Sequence, residues 1–393
     1  MLFSLVGKEC RMWLKSILFY AYVVILVLFY ITQMDSEVVS EPAPGQGDYG
    51  VCYTAEPDVI MKNTLDTLIS EFSSGSFVTY PIGFYKEVIL DQDTMDRISQ
   101  IITNLTGVEE EQWMTQSGIS VKKDLSFLEF KKEMKKVAGF VGKGSHYSEE
   151  NLKLVRTEMT YRQAQEEYED ICEKDHITGA YARLFCDYTG IVLGILPAFF
   201  GIARVLWDKK NYVLQVLYTK PVSAVKMLAA RYLAMVIVLF VPVLMLSCLG
   251  LAQAVYVAKV AQITPDYLVF VRYSLLWLLP IILFVTAVSY AVAELTESLL
   301  SVFPCFVIWF AAIFAGGVNL RYVGWNMIPR FSTIGSTKLF ESIYPQLIRN
   351  RIVYSVASIV LLAAVSILYE QKRKGGGCCD RKVRKDSNDK SEI

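Results

Sequence analysis

Residues 16–32 read SILFYAYVVILVLFYIT, an apolar run without a single charge. Its length fits the 17–25 residues that a helix needs to cross a bilayer core. Lys8, Arg11 and Lys15 precede it. A basic start followed by an apolar run also describes a secretory signal. No small-x-small cleavage site follows in QMDSEVVSEP, however, and we read the run as an uncleaved anchor. Five more apolar blocks lie at about 189–207, 227–251, 273–293, 298–318 and 352–369, in a chain that is 53% hydrophobic. The pattern predicts an α-helical integral membrane protein with about six transmembrane helices.

The formal net charge of +0 conceals a split. Residues 33–187 carry about 15 Lys+Arg against about 28 Asp+Glu, roughly −13, and the rest of the chain balances them. The N-terminus, the segment between the second and third spans, and a C-terminal tail with Lys372, Arg373, Lys374, Arg381 and Lys382 are all basic. With six spans these three fall on one side. The positive-inside rule makes that side the cytoplasm of a multi-pass plasma-membrane protein with both termini inside. Arg321, Arg330, Lys338, Arg349 and Arg351 run against the rule, because they fall in a predicted outside loop, 319–351.

The expected organisation is a cytoplasmic segment 1–15, a first span 16–32, an extracytoplasmic domain 33–187, spans two to six over 188–369, and a basic cytoplasmic tail 370–393. The outside domain opens on a linker rich in Pro and Gly, EPAPGQGDYG. Apolar residues at 60, 61, 65, 68, 69 and 72 have helical spacing, as do Met95, Ile98, Ile102 and Leu105. SFVTYPIGFYKEVIL reads as strand, with Pro81 marking an edge. From about Ser148 the chain reads as charged helix running with few breaks into the second span. The domain is therefore a large α+β or mostly helical unit. Cys52 and Cys172 both fall within it and could pair as a disulfide or stand as two thiols. Cys378 and Cys379 sit in the tail as a lipidation site or as plain thiols.

Several chemistries are missing. His146 and His176 are the two histidines, both in polar segments outside the spans, which argues against intramembrane metal or histidine-based acyl-transfer chemistry. There is no GxSxG. GFVGKGSH at 139–146 has the wrong glycine spacing for a P-loop, since Gly144 rather than Ser or Thr follows Lys143. No basic, aromatic-interleaved face suggests nucleic acid. The middles of the spans are nearly free of ionisable groups, which argues against an ion-coupled carrier. Arg204 and Arg231 fall near span ends, where they can snorkel to the interface. The sequence predicts no catalytic residue, no bound metal or cofactor and no enzyme activity of its own, so energy for any transport enters from another subunit.

Three features suit such a chain. Residues 2–15, LFSLVGKECRMWLK, alternate apolar and charged positions, either as an interfacial helix on the membrane lipids or as a positive flank. In 207–226, Val213, Leu214, Val216 and Leu217 form an apolar side bracketed by Lys209, Lys210 and Lys220, and Pro221 ends the helix. Such a helix docks in a partner's groove or rests on lipid. Pro197, Pro242, Pro280 and Pro304 place one proline in each of four successive spans, as bends or as ordinary membrane prolines. GIVLG at 190–194 fits GxxxG packing.

The stretch RVLWDKKNYVLQVLYTKPVSAVKMLAARYLA, 204–234, together with the span order, resembles the permease subunits of ABC transporters of the type-2 exporter class. The likeness is carried by Asp208, Lys209, Leu214, Leu217, Tyr218, Pro221, Ser223, Lys226 and Arg231. It implies a coupling helix over 208–226, Lys210 and Tyr212 included, that contacts a separate ATP-binding subunit. It also implies a second permease copy and an exported or extracted substrate, with ATP bound in the partner alone. The rival reading is a membrane sensor whose acidic outer domain binds a ligand.

Overall fold

The computed structural model describes residues 2–34, 39–81, 85–115, 118–153, 155–211, 223–314 and 323–375. The chain opens with a short helix α1, Leu2–Trp13, and turns at Leu14–Ser16 into α2, Ile17–Met34. A smaller domain follows: β1 Val51–Thr54, α3 Pro57–Ser74, β2 Phe77–Thr79, β3 Lys86–Val88, α4 Gln92–Thr106, α5 Glu110–Thr115, α6 Phe127–Val141, β4 Val155–Glu158 and α7 Tyr161–Glu173. The helices of the bundle come next. They are α8 Thr178–Leu193, α9 Leu196–Lys210, α10 Ala224–Val260, α11 Val269–Tyr273, α12 Leu279–Thr296, α13 Val302–Phe314 and α14 Thr337–Gly375.

Among the described residues, five helical stretches are long and apolar enough to cross a membrane: Ile17–Met34, Thr178–Lys210, Ala224–Val260, Val269–Thr296 and Thr337–Arg373. The block 298–318 is the fifth of the six expected spans. Among the described residues its helix covers Leu299–Phe314, with a tight first turn, and these rise roughly 24 Å at 1.5 Å per residue. Residues 315–322 lie outside the described residues.

The smaller domain is α+β. Its core gathers Leu65, Leu68, Ile98, Ile102, Trp113, Phe130, Met134 and Tyr147 from α3, α4, α5, α6 and the loop after it. The two runs with helical spacing are α3 and α4. SFVTYPIGFYKEVIL is two short strands rather than one: β2 pairs antiparallel with β3, and Pro81 lies in the turn between them. β1 pairs with β4, a strand in the region read as helix, and so closes the domain onto α7. α6 starts at a reciprocal cap between Ser126 and Glu129, and α7 at one between Thr160 and Gln163.

The domain ends earlier than the sequence suggests. α8 begins at Thr178, and Ala180, Leu184 and Phe185 already belong to the core of the bundle. Cys52 and Cys172 are both free thiols, which corrects the disulfide alternative. The reason is that β1 sets Cys52 Sγ 3.1 Å from Thr157 Oγ1 on β4, while Cys172 is buried on α7 beside Tyr168.

In the bundle, α12 packs against α9 on one side and α14 on the other. Gly201 sets the first contact, since a Cβ there would overlap Ser289 and the backbone of Tyr290. α2 is tied to α10 twice: Tyr22 Oη donates to the Leu239 carbonyl at 2.7 Å, and Tyr30 Oη to Gln253 Oε1 at 2.6 Å. Pro197 starts α9 after the break at Gly194–Ile195, and Pro280 starts α12 after a π-helical turn, Ser274–Leu278. Pro242 sits inside the unbroken α10, and Pro304 in the first turn of α13.

The predicted loop 319–351 is in large part structured and buried. Residues 323–336 run without helix beside α8, and α14 takes over from Thr337. Non-helical backbone at membrane depth persists only where protein satisfies it. Here the Phe331 N–H donates to Asp187, Asn326 bonds the Ala312 carbonyl and the Ile328 N–H, and Asn350 reaches the carbonyls of Gly324 and Asn326. Gly190 and Gly194 of the GIVLG motif make room for Ile328, and Trp309 also approaches Gly194.

Candidate functional site: two layers of buried charge

The ionisable groups of the bundle fall into two layers. About 21 residues separate Asp187 from Asp208 along α8 and α9, and about 21 separate Arg351 from Lys372 along α14. Each interval is roughly 30 Å of helix, the thickness of a bilayer core. Between the layers the side chains of α8–α9 and α14 are uncharged apart from Arg204 and Glu370, which belong to the lower layer's level.

The lower layer surrounds the start and end of the 207–226 segment. Arg204 on α9 grips Glu9 of α1 with two hydrogen bonds, Nε to Oε2 at 3.1 Å and Nη2 to Oε1 at 2.9 Å, and also donates to Asp208 one turn on. Arg231 on α10 faces the other side of Asp208, with Nη1 to Oδ2 at 2.7 Å, and lies 3.5 Å from Glu9 Oε1. These Arg231 contacts are ion pairs without aligned hydrogen bonds at Nε and Nη1. Arg204, Asp208 and Arg231 are each 3% exposed. The arginines therefore do not snorkel into solvent, as their positions near span ends suggest. A carboxylate from α1 and another from α9 hold them inside.

α1 reaches this position by packing as well as charge. Val6 is buried against Ala230 and Ala234 of α10, and the Trp13 ring lies 4.9 Å from that of Phe200 on α9. Phe3 remains exposed, as an interfacial helix requires. A second group closes the layer. Lys372 of α14 donates to Glu297 Oε1 at 2.5 Å and to the Glu294 side chain and carbonyl, and Lys209 reaches the Glu297 carbonyl at 3.2 Å. The hydrogen bond from Lys372 is the largest influence on Glu297 and holds its carboxyl below the usual range, against a smaller opposing effect of burial. Between the two groups lies a cavity of about 10 Å³, bounded by Asp208, Arg231, Tyr290, Glu294 and Tyr369. That is room for about one water.

The upper layer is built differently. Asp187 receives a two-pronged contact from Arg330, at 3.0 and 3.1 Å. Arg183 bonds Asp175 and the Ile334 carbonyl, with its guanidinium 4.7 Å from the Phe340 ring. Arg351, 1% exposed, donates to the carbonyls of Trp277, Asn326 and Met327 and to Asn350 Oδ1. Outside the spans, Lys338 and Lys174 both reach Asp170 of α7. Thus Arg330, Lys338 and Arg351, three of the basic residues that seemed misplaced, are answered by partners far away in the sequence.

Of the predicted site residues, Asp208 is buried in the lower layer, while Lys209 and Lys210 are exposed beside it. Tyr212, Leu214, Leu217, Tyr218 and Pro221 lie outside the described residues, as do Lys220, Arg321, Cys378 and Cys379. Glu9, Tyr290, Glu294 and Glu297 carry no motif in sequence. An acidic residue at position 9 within a basic, apolar helix was the available signal for the first of them.

Residues 3–329 match the family model described as ABC-2 family transporter protein, over most of the chain. The chain belongs to the ABC-2 transporter family. It is thus a multi-pass membrane permease subunit without a nucleotide-binding domain of its own. No curated protein and no solved structure matches it. Within this ABC-2 permease the lower charge layer frames the segment that joins α9 to α10.

Proposed function

We propose that this ABC-2 permease exports or extracts a substrate using ATP bound and hydrolysed in a separate subunit, and that 207–226 is the coupling segment. One observation carries the reading. The start of that segment, Asp208, and the helix that follows it, through Arg231, converge on a single buried charge cluster that also holds α1, and Lys209 extends the contact to α12 and α14. The charge cluster at the start of 207–226 and on α10 thus ties the surroundings of the segment to at least four helices of the bundle. The lower layer faces the cytoplasm with both termini, the 39–177 domain stands outside, and a second permease copy completes the path. ABC-2 permeases generally pair with ATPase subunits.

The test is co-purification of the ATPase with the full chain. Burying an apolar side chain is worth ~1.5–3 kcal/mol, so Leu214→Asp or Leu217→Asp should abolish capture. Lys209→Ala, on an exposed ion pair worth ~0–1 kcal/mol, should retain it. Normal insertion with full capture by both Leu→Asp chains would overturn the assignment.

A further inference from the structure

Three cations at the start of the chain are answered by no other side chain among the described residues. Lys8 and Arg11 lie on α1 and Lys15 in the turn that follows it, and all three are exposed. None of them has an ion pair or a side-chain hydrogen bond among the described residues. The acidic residue of α1, Glu9, is engaged by Arg204 and Arg231. The outward side of α1 therefore carries positive charge alone.

The packing of α1 fixes where that charge points. Val6 is buried against Ala230 and Ala234, the Cys10 thiol approaches the Ala234 carbonyl at 3.8 Å, and Trp13 is buried against Phe200. With 3.6 residues per turn, Lys8 and Arg11 stand roughly 60° apart and roughly 140–160° from Val6, on the side turned away from the bundle. Beside this stripe runs an apolar edge. Phe3 is 83% exposed, and Leu14, whose N–H still bonds the Cys10 carbonyl, is exposed as well. The turn leads directly into the span α2, where Ile17, Tyr20 and Val24 are exposed on the face that a membrane helix shows to lipid. The stripe thus sits where a span enters the bilayer, with apolar side chains on one flank. A helix of this kind lies in the interface, its apolar edge among the acyl chains and its cations among the headgroups. Fixed cations at that level favour anionic over zwitterionic headgroups.

We propose that Lys8, Arg11 and Lys15 form a binding site for anionic phospholipid headgroups, with Phe3 and Leu14 seated at the acyl boundary. Glu9 serves the site from behind, since its contacts with Arg204 and Arg231 hold the opposite face of α1 on α9 and α10. The coupling segment takes no part in it. Lipid binding is measured on the chain alone without ATP, so failure here leaves the coupling reading standing.

The experiment uses the full-length chain in nanodiscs of neutral lipid doped with a photoactivatable phosphatidylglycerol or, in parallel, a photoactivatable phosphatidylcholine. Adducts on residues 2–20 are counted after illumination. The expected result is labelling by phosphatidylglycerol about tenfold or more above phosphatidylcholine, competed by unlabelled phosphatidylglycerol alone. Neutralising one cation, as in Arg11→Gln, should weaken the competitor's affinity about fivefold. Lys8→Gln, Arg11→Gln and Lys15→Gln together should bring labelling to the phosphatidylcholine level. Lys8→Arg with Arg11→Lys should keep it, because the charges stay. High salt should lower it in the unaltered chain, which keeps the test open if the triple variant misfolds. Equal labelling by the two lipids, or labelling unchanged in the folded triple variant, would overturn the proposal. So would a triple variant that keeps its phosphatidylglycerol adducts and loses ATPase capture, since the stripe would then belong to the partner protein.

Discussion

Asp208 and Arg351 are both almost wholly buried, and they are satisfied in opposite ways. Asp208 sits between two arginines from two helices, in a layer where charged side chains of different helices meet one another. Arg351 meets the carbonyls of a π-helical turn and of a non-helical segment, plus one asparagine side chain. Asp187 and Arg330 bind that same segment to α8. The lower layer thus joins rigid elements through charges that motion can redistribute, whereas the upper layer pins an irregular chain in place. On the proposed reading, the lower layer is the connected plate that takes up force from the coupling segment, and the upper layer is the fixed collar at the far end.

The comparison breaks first if the two layers do not lie on opposite faces of the membrane. Impermeant thiol labelling from outside should modify Ser74→Cys, which is exposed on α3, and miss Lys209→Cys. Equal labelling would remove the premise. The next largest effect is on stability. Asp208→Ala leaves Arg204 and Arg231 without their shared carboxylate, and breaking a buried pair this way costs ~3–5 kcal/mol. Denaturation of the purified chain in mixed micelles reads it, and a loss below about 1 kcal/mol would mean that the lower layer is solvated.

Arg351→Met sharpens the contrast. It removes a buried cation and takes the Arg351 donor from the Trp277 and Met327 carbonyls, at ~1–3 kcal/mol for each buried group left unmade, while the Asn326 carbonyl keeps Asn350. Because Arg351 holds 323–336 through Asn326 and Met327, the visible result should be faster tryptic cleavage after Arg330, with α1 protected as before. Cleavage at α1 instead would contradict the division into two layers. The smallest effect belongs to Lys338→Ala on the exposed side of α14. Its contact with Asp170 is one of two on that carboxylate, and exposed pairs contribute ~0–1 kcal/mol. The same denaturation assay should barely register it.

The lower layer was half legible. Asp208 and Lys209 stand in a recognisable stretch, because a charged pair after one span and a proline before the next carry the resemblance to the family. Glu9 was not legible, since nothing local says that α1 folds back onto α10 and offers its carboxylate to a residue 195 positions away. The upper layer was hidden for a stronger physical reason. Hydropathy sees helices, and 323–336 is neither helical nor polar enough to announce itself. Arg330 within it and Arg351 on α14 therefore looked like loop charges on the wrong side, although the first has its partner on α8 and the second in backbone carbonyls. The helices α3 and α4 were plain from periodicity because each has one apolar face on a small core. β4 was missed because VRTE is charged at alternate positions and gains its order from pairing with β1.

The central claim is that force enters at 207–226. A photo-crosslinker carried on Leu214→Cys in the full chain, expressed with its ATPase subunit in native membranes, tests it most directly. The same label on Ser74→Cys serves as the remote control. The account predicts a covalent adduct with the ATPase at position 214 and none at 74. A correctly inserted chain that yields lipid adducts alone at 214 would contradict it.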